Sequence, residues 1–406
     1  MGNAPLSAKQ EINCLSKNRV LHPDEIRKTG KVLLKKNSIK KFQYAETITH
    51  IYLNSSMINL IMERLTSLDI CRGIAIICMV ASDIPVVTKV GAIKLFGNIF
   101  AAPFFLFIAG VSYELFVISR LERDKNAISL NIETFWKAII LLAITQIIFF
   151  AGVILFPSSF SMGFNSSIFL VIAVGYLLSI FIPRKWVYII PIIIAPFLIS
   201  YYLNNSIPGM LFFLFSESFP IIPFISYFFA GRLIMFFYEK TNDFHMKNGK
   251  IVLFSALFVA VMAIIFQFML PFTGTTRTEF RGFLLLVGIM ICILSLISVC
   301  NNRIKGFDFF LSPFERIGRI AFSVYYAFYA LELIIFPYLN SVFIINFDPK
   351  IQIITYYLSI ISILIIAASI EKIWRKVGYK FGLEWALRYG SANLTKLTIK
   401  AFSLKG

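Results

Sequence analysis

Arg72 and Asp83 stand eleven residues apart in a stretch that is otherwise almost wholly apolar. Eleven helical steps complete about three turns, so the two share one face about 16 Å apart along the axis, with a cation towards one end and an acid towards the other. Arg232, Arg316 and Arg319 lie at the ends of other apolar stretches, and Glu332 lies inside one. Guanidinium pairs bidentately with phosphate, which makes Arg72, Arg232 and Arg319 candidates for gripping a polyanionic ligand. Asp83 and Glu332 are candidates for proton abstraction, because a carboxylate taken out of water becomes a stronger base. Each has a blander reading too. Arg72 can reach out to lipid headgroups, Asp83 can simply end a helix before Pro85, and the arginines can form a cationic fringe on anionic lipid. Arg319 and Glu332 are thirteen residues apart, which sets them on different faces of an ideal helix.

The elements that must position these groups are membrane helices. Of 406 residues, 58% are hydrophobic and only 15% charged, against about 25% charged in a soluble domain. That excludes a water-soluble enzyme. From about Leu68 to Ile370 the chain is a series of apolar runs centred near residues 78, 106, 145, 174, 194, 228, 260, 290, 327 and 361. Their lengths, about 17–25 residues, suit a helix crossing the hydrocarbon layer, and the backbone of a lipid-exposed segment must bond internally. Residues 1–61 read as a basic, disordered head, either a regulatory tail or an upstream extension of the start site. Residues 62–391 form the membrane domain and 392–406 a basic tail.

Charge supplies the orientation. With the head cytoplasmic, 29 of the 39 Lys and Arg fall on the inner side, five fall outside, and five lie within or at the ends of spans. The fold expected is therefore an all-α, polytopic membrane bundle of about ten helices with both termini cytoplasmic, multi-pass in the cell membrane. The net charge of +18 reports this orientation, and nucleic acid is not an expected partner. Cys14, Cys71, Cys78, Cys292 and Cys300 have no metal-ligand spacing and the three histidines lie outside the spans, so no metal is expected.

Five segments carry a family resemblance. RLTSLDICRGIAIICMV, Arg64 to Val80, resembles the opening span of the transmembrane acyltransferase superfamily, especially the heparan-alpha-glucosaminide N-acetyltransferase-like and YeiB-like membrane proteins. APFFLFIAGVS, ending at Ser112, is similar to the second span of that group, and FPIIPFISYFFAG, Phe219 to Gly231, to a later one. RIGRIAFSVYYAFY, Arg316 to Tyr329, and WRKVGYKFGLEWALRYGS, Trp374 to Ser391, match the remaining two in order.

The resemblance implies transfer of an acyl group, most simply acetyl, from cytoplasmic acetyl-CoA or another acyl-CoA to a hydroxyl or amine of a glycan or lipid-linked acceptor at the outer face, among membrane lipids. Arg72, Arg232 and Arg319 would then face the acyl-CoA, and Asp83 and Glu332 the acceptor. The sequence departs from the family where histidines are usual: Lys89 stands in the first outer loop, Asp83 at one histidine spacing, and Phe328 or Tyr329 at another. The alternative is a non-catalytic relative that acts as a transporter or lipid-binding membrane protein.

Overall fold

A computed structural model of the chain describes residues 66–82, 91–121, 126–155, 167–203, 220–240, 257, 261, 280–303, 306–328, 349–380 and 382–403. All the regular structure among them is helical. In order these are α1 (66–82), α2 (Gly91–Leu121), α3 (Ala127–Leu155), α4 (Ile168–Phe181), α5 (Trp186–Leu203), α6 (Ile221–Lys240), α7 (Phe280–Arg303), α8 (Phe307–Arg319), α9 (321–328), α10 (Pro349–Lys376) and α11 (Ser391–Ser403). A helix occupies every expected centre except 260, which lies outside the described residues. Ile99–Leu121, Ala127–Ile147 and Tyr357–Lys376 are long and apolar enough to cross a membrane, and shorter apolar helices fill 168–181, 186–200, 221–237 and 282–298.

Burial separates the core from the periphery. Of the most apolar 18-residue stretch, 83% is buried in α2, but only 28% in α3 and 17% in α10. So α2 is central, whereas α3 and α10 turn Ile147, Phe150, Ile154, Ile361 and Ile365 outwards. Lipid tails are as apolar as these side chains, so exposing them to a bilayer costs little, and helix association rests on close packing.

The largest helix interface, α2 against α6, shows how that packing is made. A Cβ built on Gly110 would fall 1.9 Å from the Phe228 carbonyl oxygen, and one on Gly231 would fall 2.0 Å from that of Phe107. Each glycine thus admits the other helix's backbone. Around this pair, α5 and α4 pack on α6, α3 packs on α4, and α7 lies against α2. An aromatic cluster of Phe105, Phe169, Phe322 and Tyr326 ties α9 to α2 and α4, with the Phe169 and Tyr326 rings stacked 4.4 Å apart.

One local feature departs from the sequence reading. The helix expected to begin at Arg316 and run on as one span is interrupted at Ile320, whose N–H bonds only three residues back to Ile317, making α8 and α9 separate segments. Pro223 falls in the first turn of α6, where a missing N–H costs nothing, whereas Pro103, Pro191 and Pro196 lie within α2 and α5. At the far end, Gly378 (φ 68°) and Tyr379 (φ 56°) close α10 in left-handed conformations, and Tyr379 N–H reaches the Trp374 carbonyl. A turn at Leu383–Trp385 and a π-helical turn at Ala386–Gly390 then lead into α11. Residues 392–403, which composition groups with a basic tail, belong to this helix, which packs on α3, where Trp136 Nε1 donates to Thr398 Oγ1 at 3.0 Å.

Candidate functional site

Arg72 lies on the first two turns of α1, and its position is fixed by two neighbours. Its Nη1 pairs with Asp69 at 2.5 Å, one helical turn earlier, and its Nη2 donates to Ser112 Oγ on α2 at 2.7 Å. Ser112 Oγ donates to the Ile108 carbonyl at 2.6 Å, so the hydroxyl is oriented to accept from the guanidinium. The Arg72 side chain keeps a quarter of its surface exposed. Beside it, α8 crosses α1 at backbone contact: a Cβ on Gly73 would fall 1.9 Å from the Phe314 carbonyl oxygen, and one on Gly318 would fall 1.7 Å from that of Asp69.

That crossing brings Arg319 to the same end of the bundle. Arg319 pairs with Glu315, one turn back on α8, and its Nη1 lies 3.9 Å from Glu371 Oε1 on α10. Its side chain is 35% exposed. Tyr379 donates to the same Glu371 oxygen at 2.5 Å, leaving Glu371 Oε2 buried without a hydrogen bond. Asp69 lies within electrostatic range of Arg319, Glu315 and Arg388 as well as Arg72. Glu384 accepts from Ser323 N–H at 3.1 Å and from Ser323 Oγ at 2.5 Å, holding the first turn of α9 against the segment that carries Arg388. A carboxylate on the N-terminal amides of a helix is a favourable charge–dipole arrangement.

The sequence reading missed a second polar structure. Glu114 on α2 is fully buried and takes two arginines: Arg184 Nε at 2.5 Å on Oε1 and Arg232 Nε at 3.0 Å on Oε2. Arg232 also donates to Ser179 at 2.9 Å and lies 5.0 Å and 5.5 Å from the Tyr113 and Phe229 ring centroids. Glu133 on α3, likewise buried, pairs with Arg120 at 2.9 Å, and Lys137 sits 3.0 Å above the Phe116 ring. A signal was present, since Glu114 and Glu133 are acids inside apolar stretches and such groups are costly unless paired. Counting Lys and Arg for orientation passed over them.

The three arginines expected to meet a phosphate differ in exposure. Arg72 and Arg319 are partly exposed and lie on helices in backbone contact, whereas Arg232 is 1% exposed and engaged by Glu114, Ser179 and two aromatic faces. Asp83 and Glu332 lie outside the described residues. Among the described residues no group of three or more His, Cys, Asp and Glu side chains is arranged to hold a metal ion.

The class these features define is a protein whose described residues are helical, with helices long and apolar enough to cross a membrane and with Arg72 and Arg319 beside the α1–α8 crossing. Comparison with protein-family profiles and with characterised proteins returns no match.

Proposed function

We propose that the chain is a multi-pass cell-membrane acyltransferase of about ten spans that uses cytoplasmic acetyl-CoA or another acyl-CoA. Its acceptor would be a hydroxyl or amine of a glycan or lipid-linked molecule at the outer face. One observation carries the reading: Arg72 and Arg319, on helices that cross at backbone contact, both act electrostatically on Asp69 and are both part-exposed. Two neighbouring guanidiniums suit the phosphates of coenzyme A. In the transfer, the acceptor oxygen or nitrogen attacks the thioester carbonyl and gives its proton to Asp83 or Glu332. The new C–O or C–N bond forms as the C–S bond breaks, and coenzyme A leaves as the thiol, regaining a proton. By sequence spacing alone, eleven helical steps from Arg72 would set Asp83 about 16 Å along the axis, a separation that suits an acceptor site remote from the phosphates.

The pairing of Arg72 with Asp69 and of Arg319 with Glu315 favours the second reading, a non-catalytic transporter or lipid-binding protein, because both guanidiniums already have internal anions. Thermal unfolding of the detergent-purified protein with coenzyme A separates the two. Ligand at a hundred times its Kd stabilises by about 2.7 kcal/mol, and Arg72→Ala should abolish the gain. Indifference of the parent protein to coenzyme A favours the second reading. With labelled acyl-CoA, unchanged transfer by Asp83→Asn removes Asp83 as the base.

A further inference from the structure

The end of α10 and the helix that follows it carry an unusual surface. Lys372, Arg375, Lys376 and Lys380 are exposed within nine residues, and Lys396 and Lys400 are exposed on α11. Between Lys372 and Ser403 the sequence has one acid, Glu384, and its carboxylate is bound to Ser323. Interleaved with the cations are Ile373, Val377, Leu397 and Phe402, each more than half exposed. α11 presents three of its four hydroxyls inwards: Ser391 and Thr395 are buried, and Thr398 takes the Trp136 hydrogen bond, while Leu397, Ile399 and Phe402 are left uncovered.

Two observations say what covers this surface. Ile354, Leu358, Ile361 and Ile365 form one exposed stripe at helical spacing along α10, and continued by the helical repeat the same stripe reaches Lys372 and Lys376. One helix face thus passes from apolar to cationic, as it would on leaving the acyl chains for the headgroups. Three of the four tryptophans, Trp186, Trp374 and Trp385, lie close to the helix ends joined by 182–185 and 377–382, the fourth, Trp136, bonds to Thr398 on α11, and Trp is the residue of membrane–water interfaces.

We propose that residues 372–403 form a collar that binds the anionic headgroups of the adjoining leaflet, with Ile373, Val377, Leu397 and Phe402 seated among the upper acyl carbons. Each Lys or Arg at such a surface gains from the negative headgroup potential, and the interleaved apolar side chains select a lipid surface over a soluble polyanion. The collar is independent of the acyltransfer reading and of its test.

The probe is quenching of the native tryptophans in proteoliposomes containing equal mole fractions of bromine-labelled phosphatidylglycerol or bromine-labelled phosphatidylcholine. The expected result is quenching by phosphatidylglycerol at least twofold above that by phosphatidylcholine, with the excess lost in high salt. Changing Lys372, Arg375, Lys376, Lys396 and Lys400 together to Gln should equalise the two lipids. The parent protein needs no folded variant to test the idea: equal quenching by both lipids overturns it. Equal quenching together with retention of a fluorescent oligonucleotide would assign the collar to a soluble polyanion instead.

Discussion

Replacing Arg232 with Met removes a charge from the most enclosed part of the bundle and tests whether this arginine is structural. It loses the 3.0 Å pair with Glu114, the 2.9 Å hydrogen bond to Ser179, and its place against the Tyr113 and Phe229 rings. Breaking a buried pair by deleting one partner costs about 3–5 kcal/mol, chiefly because the remaining charge is stranded. Here Glu114 keeps Arg184 at 2.5 Å, so the cost should lie near the lower bound, about 3 kcal/mol. Unfolding in mild detergent titrated with dodecyl sulfate, followed by tryptophan fluorescence, reads it as a midpoint at a lower dodecyl sulfate fraction. The double variant Glu114→Gln with Arg232→Met strands no buried carboxylate and should recover most of the loss, since Arg184 is partly exposed and can turn to water. A single variant as stable as the parent, or a double variant worse than the single, would refute the pairing as the source of stability. Coenzyme A stabilisation lost in Arg232→Met while its fold persists would return Arg232 to the ligand site.

Gly318→Ala places a Cβ 1.7 Å from the Asp69 carbonyl oxygen, so α8 must back away from α1; a loss of about 1–3 kcal/mol is expected in the same unfolding assay, and a neutral result would show that the crossing is looser than described. Glu384→Ala leaves Ser323 N–H without its carboxylate and should cost about 1 kcal/mol, whereas Glu384→Asp should recover part of it if the capping geometry matters. The Tyr379 phenol lies above its ordinary value of 10.0, first because burial disfavours the phenolate and then because it donates to Glu371. A raised folded pKa means that the contribution is complete below pH 10.0 and is lost as pH rises through the folded value. Unfolding midpoints of the parent should therefore fall on strongly alkaline titration relative to Tyr379→Phe, and parallel curves would show that the phenol is not coupled to folding.

The sequence by itself determined that the chain is helical and belongs in a membrane, since so many long apolar runs leave the backbone no other way to satisfy its hydrogen bonds. It also marked Arg72 and Arg319, because cations at the ends of apolar stretches stand out against so few charges. What it did not show was pairing. Arg232 looked like Arg72 on the page, and only the packing of α6 against α2 and α4 placed it on Glu114, burying one arginine while the other stayed part-exposed. The break at Ile320 likewise gave no local warning, because no proline stands there and the interruption is a single i→i−3 bond. Glycines 73, 110, 231 and 318 were visible as small residues, yet their meaning lies in the carbonyls opposite, which belong to helices up to 249 residues away. Hydropathy depends on each segment alone and is legible in one dimension. Ion pairing and close approach depend on which segments meet, and the tertiary structure decided those.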